Sequence, residues 1–270
     1  MKVSVIQLQS QTNKSKNIEN ALTIAECAIN QDKSDLIAFP EMFAFNGGNN
    51  ADKKNSAEDI PNGETCKILS EFAKSKKIYI HGGSFYEEYN DKVFNTTVVF
   101  DAQGEIIAKY RKIHLFDVTI PNGKNYLESD SVLPGTEIVT YNVNELMIGC
   151  SICYDLRFSE LYLALAKKNV DAIMIPASFT RQTGKDHWEP LLRARAIEAQ
   201  SYVIAPAQCG EFPDGKGGTN KTWGHSMIIN PWGNIVAEVP DGTGWATAKL
   251  DKNFLLDVRT NIPVSDHRSL

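Results

Sequence analysis

Three polar residues stand where apolar runs end. Cys153 closes the run Leu146-Met-Ile-Gly-Cys-Ser-Ile-Cys153 and is followed by Tyr154, Asp155, Leu156 and Arg157. Glu41 lies in Phe39-Pro-Glu-Met-Phe43, directly after the apolar stretch 35–39, and Lys112 lies in Tyr110-Arg-Lys-Ile-His-Leu-Phe116. A thiol at a strand-to-helix turn is lifted out of the core and set near helix amides, where it can be reached and activated as a nucleophile. A carboxylate can move protons, and an ammonium can hold developing negative charge. Strand mouths are also where α/β sheets place their sites. Taken singly, each residue has a plainer account: Glu41 as a turn residue, Lys112 as a solvated charge, Cys153 as core packing.

The elements that must position them read as follows. Strands are expected at 3–8, 35–39, 78–85, 93–100 and 105–110, with helices at 16–30 and 65–76. The helix at 16–30 shows Ile18, Ala21, Leu22, Ala25 and Ala28 at helical spacing. The second half echoes the first: a strand at 145–152, a helix at 159–169, a buried strand at 171–175 stopped by Pro176, and a long helix at 187–200. Strands at 202–208, 223–230 and 235–239 follow, and 210–220 reads as a mobile surface loop. No low-complexity linker divides the chain, so 1–270 is expected to be a single α/β domain of two similar halves.

Other chemistries are less well served. Cys150 and Cys153 form a Cys-x-x-Cys pair, but structural zinc wants four ligands and no second pair exists. A spacing of three on a strand points the two side chains to opposite faces, which makes Cys150 a core residue. His225, after a glycine, is the best histidine for a Cys–His hydrolase, though a hydrogen-bonded histidine is the simpler reading. No metal and no cofactor are expected.

In order along the chain, these motifs resemble the nitrilase superfamily of carbon–nitrogen hydrolases. Further matching stretches are His114-Leu-Phe-Asp-Val-Thr-Ile-Pro121, Glu128-Ser-Asp-Ser-Val-Leu-Pro-Gly135, Cys153-Tyr-Asp-Leu-Arg-Phe158, His187-Trp-Glu-Pro-Leu-Leu-Arg-Ala-Arg-Ala-Ile-Glu198 and Trp223-Gly-His-Ser226. The resemblance implies a four-layer α-β-β-α sandwich and a Glu41–Lys112–Cys153 triad. Cys153 would form a thioester, Glu41 would move the protons, and Lys112 would stand beside the tetrahedral oxyanion. The resemblance adds Glu128, positioning Lys112 and substrate, while the backbone N–H of Tyr154 supplies a second oxyanion donor.

Tyr154-Asp155 after the nucleophile resembles the amidase branch rather than the nitrile-cleaving one, where Trp-Glu is typical. The stretches 178–188 and 205–210 look most like amidases of deaminated glutathione, and next like ω-amidases of 2-oxoglutaramate. Both substrates are small amides bearing a carboxylate. Arg157 and Arg181, each just after a strand end, are the candidates to bind that group. Phe179, Thr180 and His187 are expected to shape the pocket. Where relatives commonly have proline, this chain has Ser159, a good helix N-cap. An N-carbamoyl hydrolase and a non-catalytic binding protein are the alternatives.

The remaining expectations concern setting. The formal charge of −5 and the absence of a basic stripe argue against nucleic acid. No apolar run approaches the ~20 residues of a membrane helix. The N-terminus reads as a strand and not a signal peptide, and five scattered cysteines suit reduced thiols, so a cytoplasmic location is expected. The resemblance implies a homodimer or larger assembly, with the helix carrying Arg193, Arg195 and Glu198 at its interface.

Overall fold

The runs 36–38 and 172–174 are apolar at every position, a pattern suited to strands covered on both faces. Both are buried strands in the computed structural model, which describes residues 1–119 and 125–269. The first half runs β1 (Lys2–Gln7), α1 (Lys14–Asp32), β2 (Leu36–Ala38), α2 (Asn50–Ser56), α3 (Glu64–Lys76), β3 (Tyr79–His81), β4 (Phe85–Tyr89), β5 (Lys92–Phe100) and β6 (Ile106–Arg111). A short hairpin of β7 (Asp117–Thr119) and β8 (Asn125–Leu127) follows. The second half runs β9 (Thr140–Val143), β10 (Leu146–Cys150), α4 (Ser159–Lys167), β11 (Ala172–Met174), α5 (Arg181–Ala199), β12 (Tyr202–Ala205), β13 (Cys209–Pro213), β14 (Thr219–Trp223), β15 (Met227–Ile229) and β16 (Ile235–Glu238). β17 (Gly244–Lys249), α6 (Lys252–Asn261) and α7 (Val264–His267) complete it.

Among the described residues the strands form two main sheets, ordered β17-β1-β2-β3-β5-β4, with β6 also on β5, and β16-β15-β12-β11-β10-β9. Each has three parallel strands at its centre, β1-β2-β3 and β12-β11-β10. Ile18, Ala21, Ala25 and Ala28 of α1 and Leu69 and Ala73 of α3 pack on Ile6, Ile37 and Ile80 of the first sheet. A second apolar cluster runs from Val3, Val5, Leu36 and Ala38 through the second sheet to Leu161, Leu165, Trp188 and Leu192 of α4 and α5. The layers are therefore α, β, β, α, and the three parallel strands of each half echo one another.

Several elements depart from the sequence pattern. The run expected as one strand at 78–85 splits into β3 and β4 at Gly82-Gly83. Gly83 has φ +55°, and a Cβ there would stand 2.1 Å from the Pro40 carbonyl oxygen, so this break lets the chain pass close to Pro40. The run 223–230 breaks at Gly224 and His225, both with positive φ, sending β14 and β15 into different sheets. The stretch 210–220 is a loop only at 214–218; its flanks are paired strands of the β13–β14 hairpin. Helix α5 starts at Arg181, capped by the Thr180 side chain on the Thr183 N–H, and carries Pro190 inside it. Ser159 is the first residue of α4 rather than its cap, which is Phe158 without a side-chain bond. Ile120 and Pro121, which end one matching stretch, lie outside the described residues.

Between the sheets lies a polar pair. His81 and Tyr141 have ring centroids 6.2 Å apart. Neither His81 nitrogen nor the Tyr141 hydroxyl has a hydrogen-bond partner among the described residues. Burial lowers the His81 pKa from 6.5 to about 3. The unfolded chain takes up a proton below about pH 6.5, whereas the folded one resists it until about pH 3. Stability from this group is thus complete above pH 6.5 and is lost as pH falls toward 3, by at most about 1.4 kcal/mol per pH unit. His81→Leu is expected to flatten the fall in urea-unfolding free energy between about pH 6.5 and 5. An unchanged slope would show that His81 is not its source.

Candidate active site

Pro40 has no N–H to offer a strand, so β2 stops and the chain turns. Met42 takes φ +55° in that turn, and its N–H donates to Ser84 Oγ at 3.1 Å. Glu41 is thereby set at the mouth of the parallel strands. Its Oε2 accepts from the Ser178 N–H at 2.8 Å, just past the end of β11. Its Oε1 accepts from Lys112 Nζ at 2.9 Å and Asn95 Nδ2 at 3.0 Å.

Lys112 lies one residue beyond β6 and is only 2% exposed. Its Nζ also donates to Glu128 Oε2 at 2.8 Å. Burial opposes the charge, but the Glu128 and Glu41 carboxylates outweigh it and hold the ammonium pKa well above the ordinary lysine range. Glu128 accepts further bonds from the Phe116 N–H at 2.7 Å and Asn95 Nδ2 at 3.1 Å. The Asn95 amide thus bridges both carboxylates.

Cys153 follows β10 at the start of a 3-10 turn, Cys153–Arg157, with φ +47°. That conformation is costly for a residue with a Cβ and marks a strained elbow. The Cys153 N–H donates to the Pro176 carbonyl at 2.9 Å. Asp155 fastens the turn: its carboxylate accepts from the Ile152 N–H at 2.9 Å, Tyr110 Oη at 2.6 Å and the His114 N–H at 2.9 Å, and lies 2.7 Å from His114 Nδ1. The Tyr154 N–H has no acceptor among the described residues. Contrary to the exposed thiol expected, Cys153 is only 6% exposed. Burial, then the Glu41 charge, raise its thiol pKa well above the usual value, while Lys112 acts in the other direction. The resting sulfur is therefore a neutral thiol, and nucleophilic attack requires a base to take its proton.

Glu41, Lys112, Glu128 and Cys153 line one cavity of about 180 Å³, together with Tyr154, Phe179 and Thr180. The β13–β14 hairpin forms part of its wall through Phe212, Pro213 and Asn220. Arg157, Arg181 and His187 do not line it. Arg157 lies 3.3 Å from His187 Nδ1 and sits over the Phe179 ring, backing the aromatic wall. Arg181 is exposed in the first turn of α5. His225 is bound to Glu238 at 2.8 Å, away from this lining. The sequence does not single out Asn95 or the Asp155–His114 contact; the one signal is a polar amide within the apolar run of β5.

The family model for carbon-nitrogen hydrolases matches residues 2–259. The chain is 37% identical over 278 residues to a deaminated glutathione amidase of Dictyostelium discoideum, covering 100% of this chain and 94% of that protein. It is 35% identical over 267 residues to an omega-amidase of Danio rerio, covering 99% and 94%. Among solved structures, Nit3 of Saccharomyces cerevisiae, of branch 10 of the nitrilase superfamily, matches with a TM-score of 0.89 at 30% identity over 100% and 97% of the two chains. The NitFhit protein of C. elegans matches with a TM-score of 0.90 at 32% identity, over 99% of this chain and 65% of that one. With this fold and this cavity, the chain belongs to the carbon-nitrogen hydrolase family and is a hydrolase of carbon–nitrogen bonds other than peptide bonds.

Proposed function

We propose that this chain hydrolyses the amide C–N bond of a small linear substrate that also bears a carboxylate, of the deaminated glutathione or 2-oxoglutaramate type. The observation that carries the reading is a buried thiol that shares one cavity with a buried carboxylate–ammonium pair. The names of the relatives support the substrate class. As the Cys153 sulfur bonds to the amide carbon, its proton passes to Glu41 and the carbonyl electron pair moves to oxygen. Lys112 and the Tyr154 N–H meet that oxyanion. Glu41 returns the proton to nitrogen, the C–N bond breaks, and the amine (ammonia where the substrate is a primary amide) departs, leaving a thioester. Water then attacks, giving a proton to Glu41; the C–S bond breaks, and the proton returns to sulfur. Glu128 and Asn95 hold Lys112 and Glu41 in place.

A reducing, cytoplasmic setting fits five cysteines that are all free. A homodimer is supported by exposed apolar side chains on α4 and α5 and the adjoining β15–β16 turn, namely Leu163, Ile197 and Trp232.

Cys153→Ala is expected to lower ammonia release by at least about a thousandfold without unfolding the protein, and Glu41→Gln to do the same. Full activity in either would sink the reading. Carbon dioxide released alongside ammonia would indicate a carbamoyl substrate instead. Asn95→Leu is expected to lower kcat about a hundredfold through misplacement of both carboxylates, with KM little changed. Ile197→Asp should yield monomers in sedimentation at micromolar concentration; an unaltered dimer would move the interface elsewhere.

A further inference from the structure

The cavity contains more donor groups than the proposed chemistry uses. Lys53 reaches it from α2, Asn46 from the segment before α2, and Tyr86 from β4, which packs against α2. None of these three side chains has a hydrogen-bond or ion-pair partner among the described residues. Asn46 and Tyr86 are each only 6% exposed. Buried polar groups are ordinarily satisfied, so a set left open toward a cavity marks where a ligand's acceptors go. All three groups can donate, and one is cationic, which is the complement of a carboxylate.

The charges lead to the same place. Two carboxylates, Glu41 and Glu128, against one ammonium, Lys112, leave the catalytic cluster at −1. An anionic substrate entering there is repelled unless a cation receives its charged end away from the reacting carbon. Lys221 also lines the cavity, but it pairs with Glu211 at 2.6 Å. Lys53 is the cavity cation without an ion pair among the described residues. Burial lowers its pKa, and the nearby Glu128 and Asp130 charges only partly oppose that, which places it within the field of the catalytic cluster.

We propose that Lys53, flanked by Asn46 and Tyr86, is the subsite for the substrate's carboxylate, at the end of the molecule remote from the scissile amide. The assignment deepens the amidase reading and rests on it. It replaces Arg157 and Arg181 as candidates for this task, since neither lines the cavity.

The test compares glutaramate with its neutral methyl ester as substrates for the wild-type, Lys53→Met and Lys53→Arg proteins. Lys53→Met is expected to raise KM for glutaramate at least about tenfold, the loss of one charge-assisted hydrogen bond, with kcat largely kept. KM for the ester should stay within about twofold, and Lys53→Arg should recover most of the loss. An unchanged KM for glutaramate, or an equal rise for both substrates, overturns the assignment. Failure of wild type to release ammonia or an amine from any amide would sink the amidase reading, but glutarate binding to Cys153→Ala protein, measured by calorimetry, still decides the role of Lys53. Loss of that binding in Cys153→Ala/Lys53→Met supports the subsite. Retained binding, or no binding in the parent, overturns it.

Discussion

An ammonium that is 2% exposed and held between two carboxylates is the constraint around which this molecule is organised. Breaking a buried pair by removing one partner costs about 3–5 kcal/mol, because the charge left behind has neither water nor a counterion. Lys112 serves two carboxylates at once, so its location is tightly specified. The backbone does the specifying. The Lys112 N–H continues the β5–β6 ladder onto the Asn95 carbonyl at 2.9 Å, and its own carbonyl accepts from Gly135 at 2.7 Å. Asn95 then turns its side chain to both carboxylates, so one β-strand residue sets the backbone and the polar network together.

The cavity is also a seam. Glu41 and Lys112 come from the first sheet, while Cys153 and Ser178 come from the second. Sheets packed face to face can slide, and a shift of one ångström is enough to spoil such geometry. Two polar clamps cross the seam here. Glu41 reaches the Ser178 N–H, and Tyr110 with His114 reaches Asp155 beneath the Cys153 turn. Asp155 is fully buried, and its contacts compensate for the loss of water. The strained φ of Cys153 persists because the surrounding bonds over-determine it.

Much of this was legible in the chain because local signals and the global fold agree. Apolar runs ended by Pro40 and Pro176, and the periodicity of 16–30, located the central strands and α1 to within a few residues. Errors fell where a glycine pair or a positive φ interrupts an apolar run, as at Gly82-Gly83 and Gly224-His225, since periodicity does not register backbone direction. The hairpin 209–223 was hidden by its own composition: Gly, Pro and Asp suit a loop, yet its two arms pair and form a cavity wall. Within the site, residues next to strand ends could be read from position alone. Asn95, Asn46, Lys53 and Tyr86 could not, because their importance lies in which other segments their side chains meet, and that is set by tertiary packing.

The protonated state of Cys153 has a consequence for how the protein endures an oxidising challenge. Peroxide and disulfide exchange act on thiolates, not thiols. Many reactive cysteines are kept ionised by nearby cations, and that readiness exposes them to chance oxidation. Here burial and the Glu41 charge keep the sulfur protonated and covered. Its nucleophilicity is conditional on proton transfer inside the cavity, so the same local electrostatics that delay ionisation also give the thiol a measure of redox silence between turnovers.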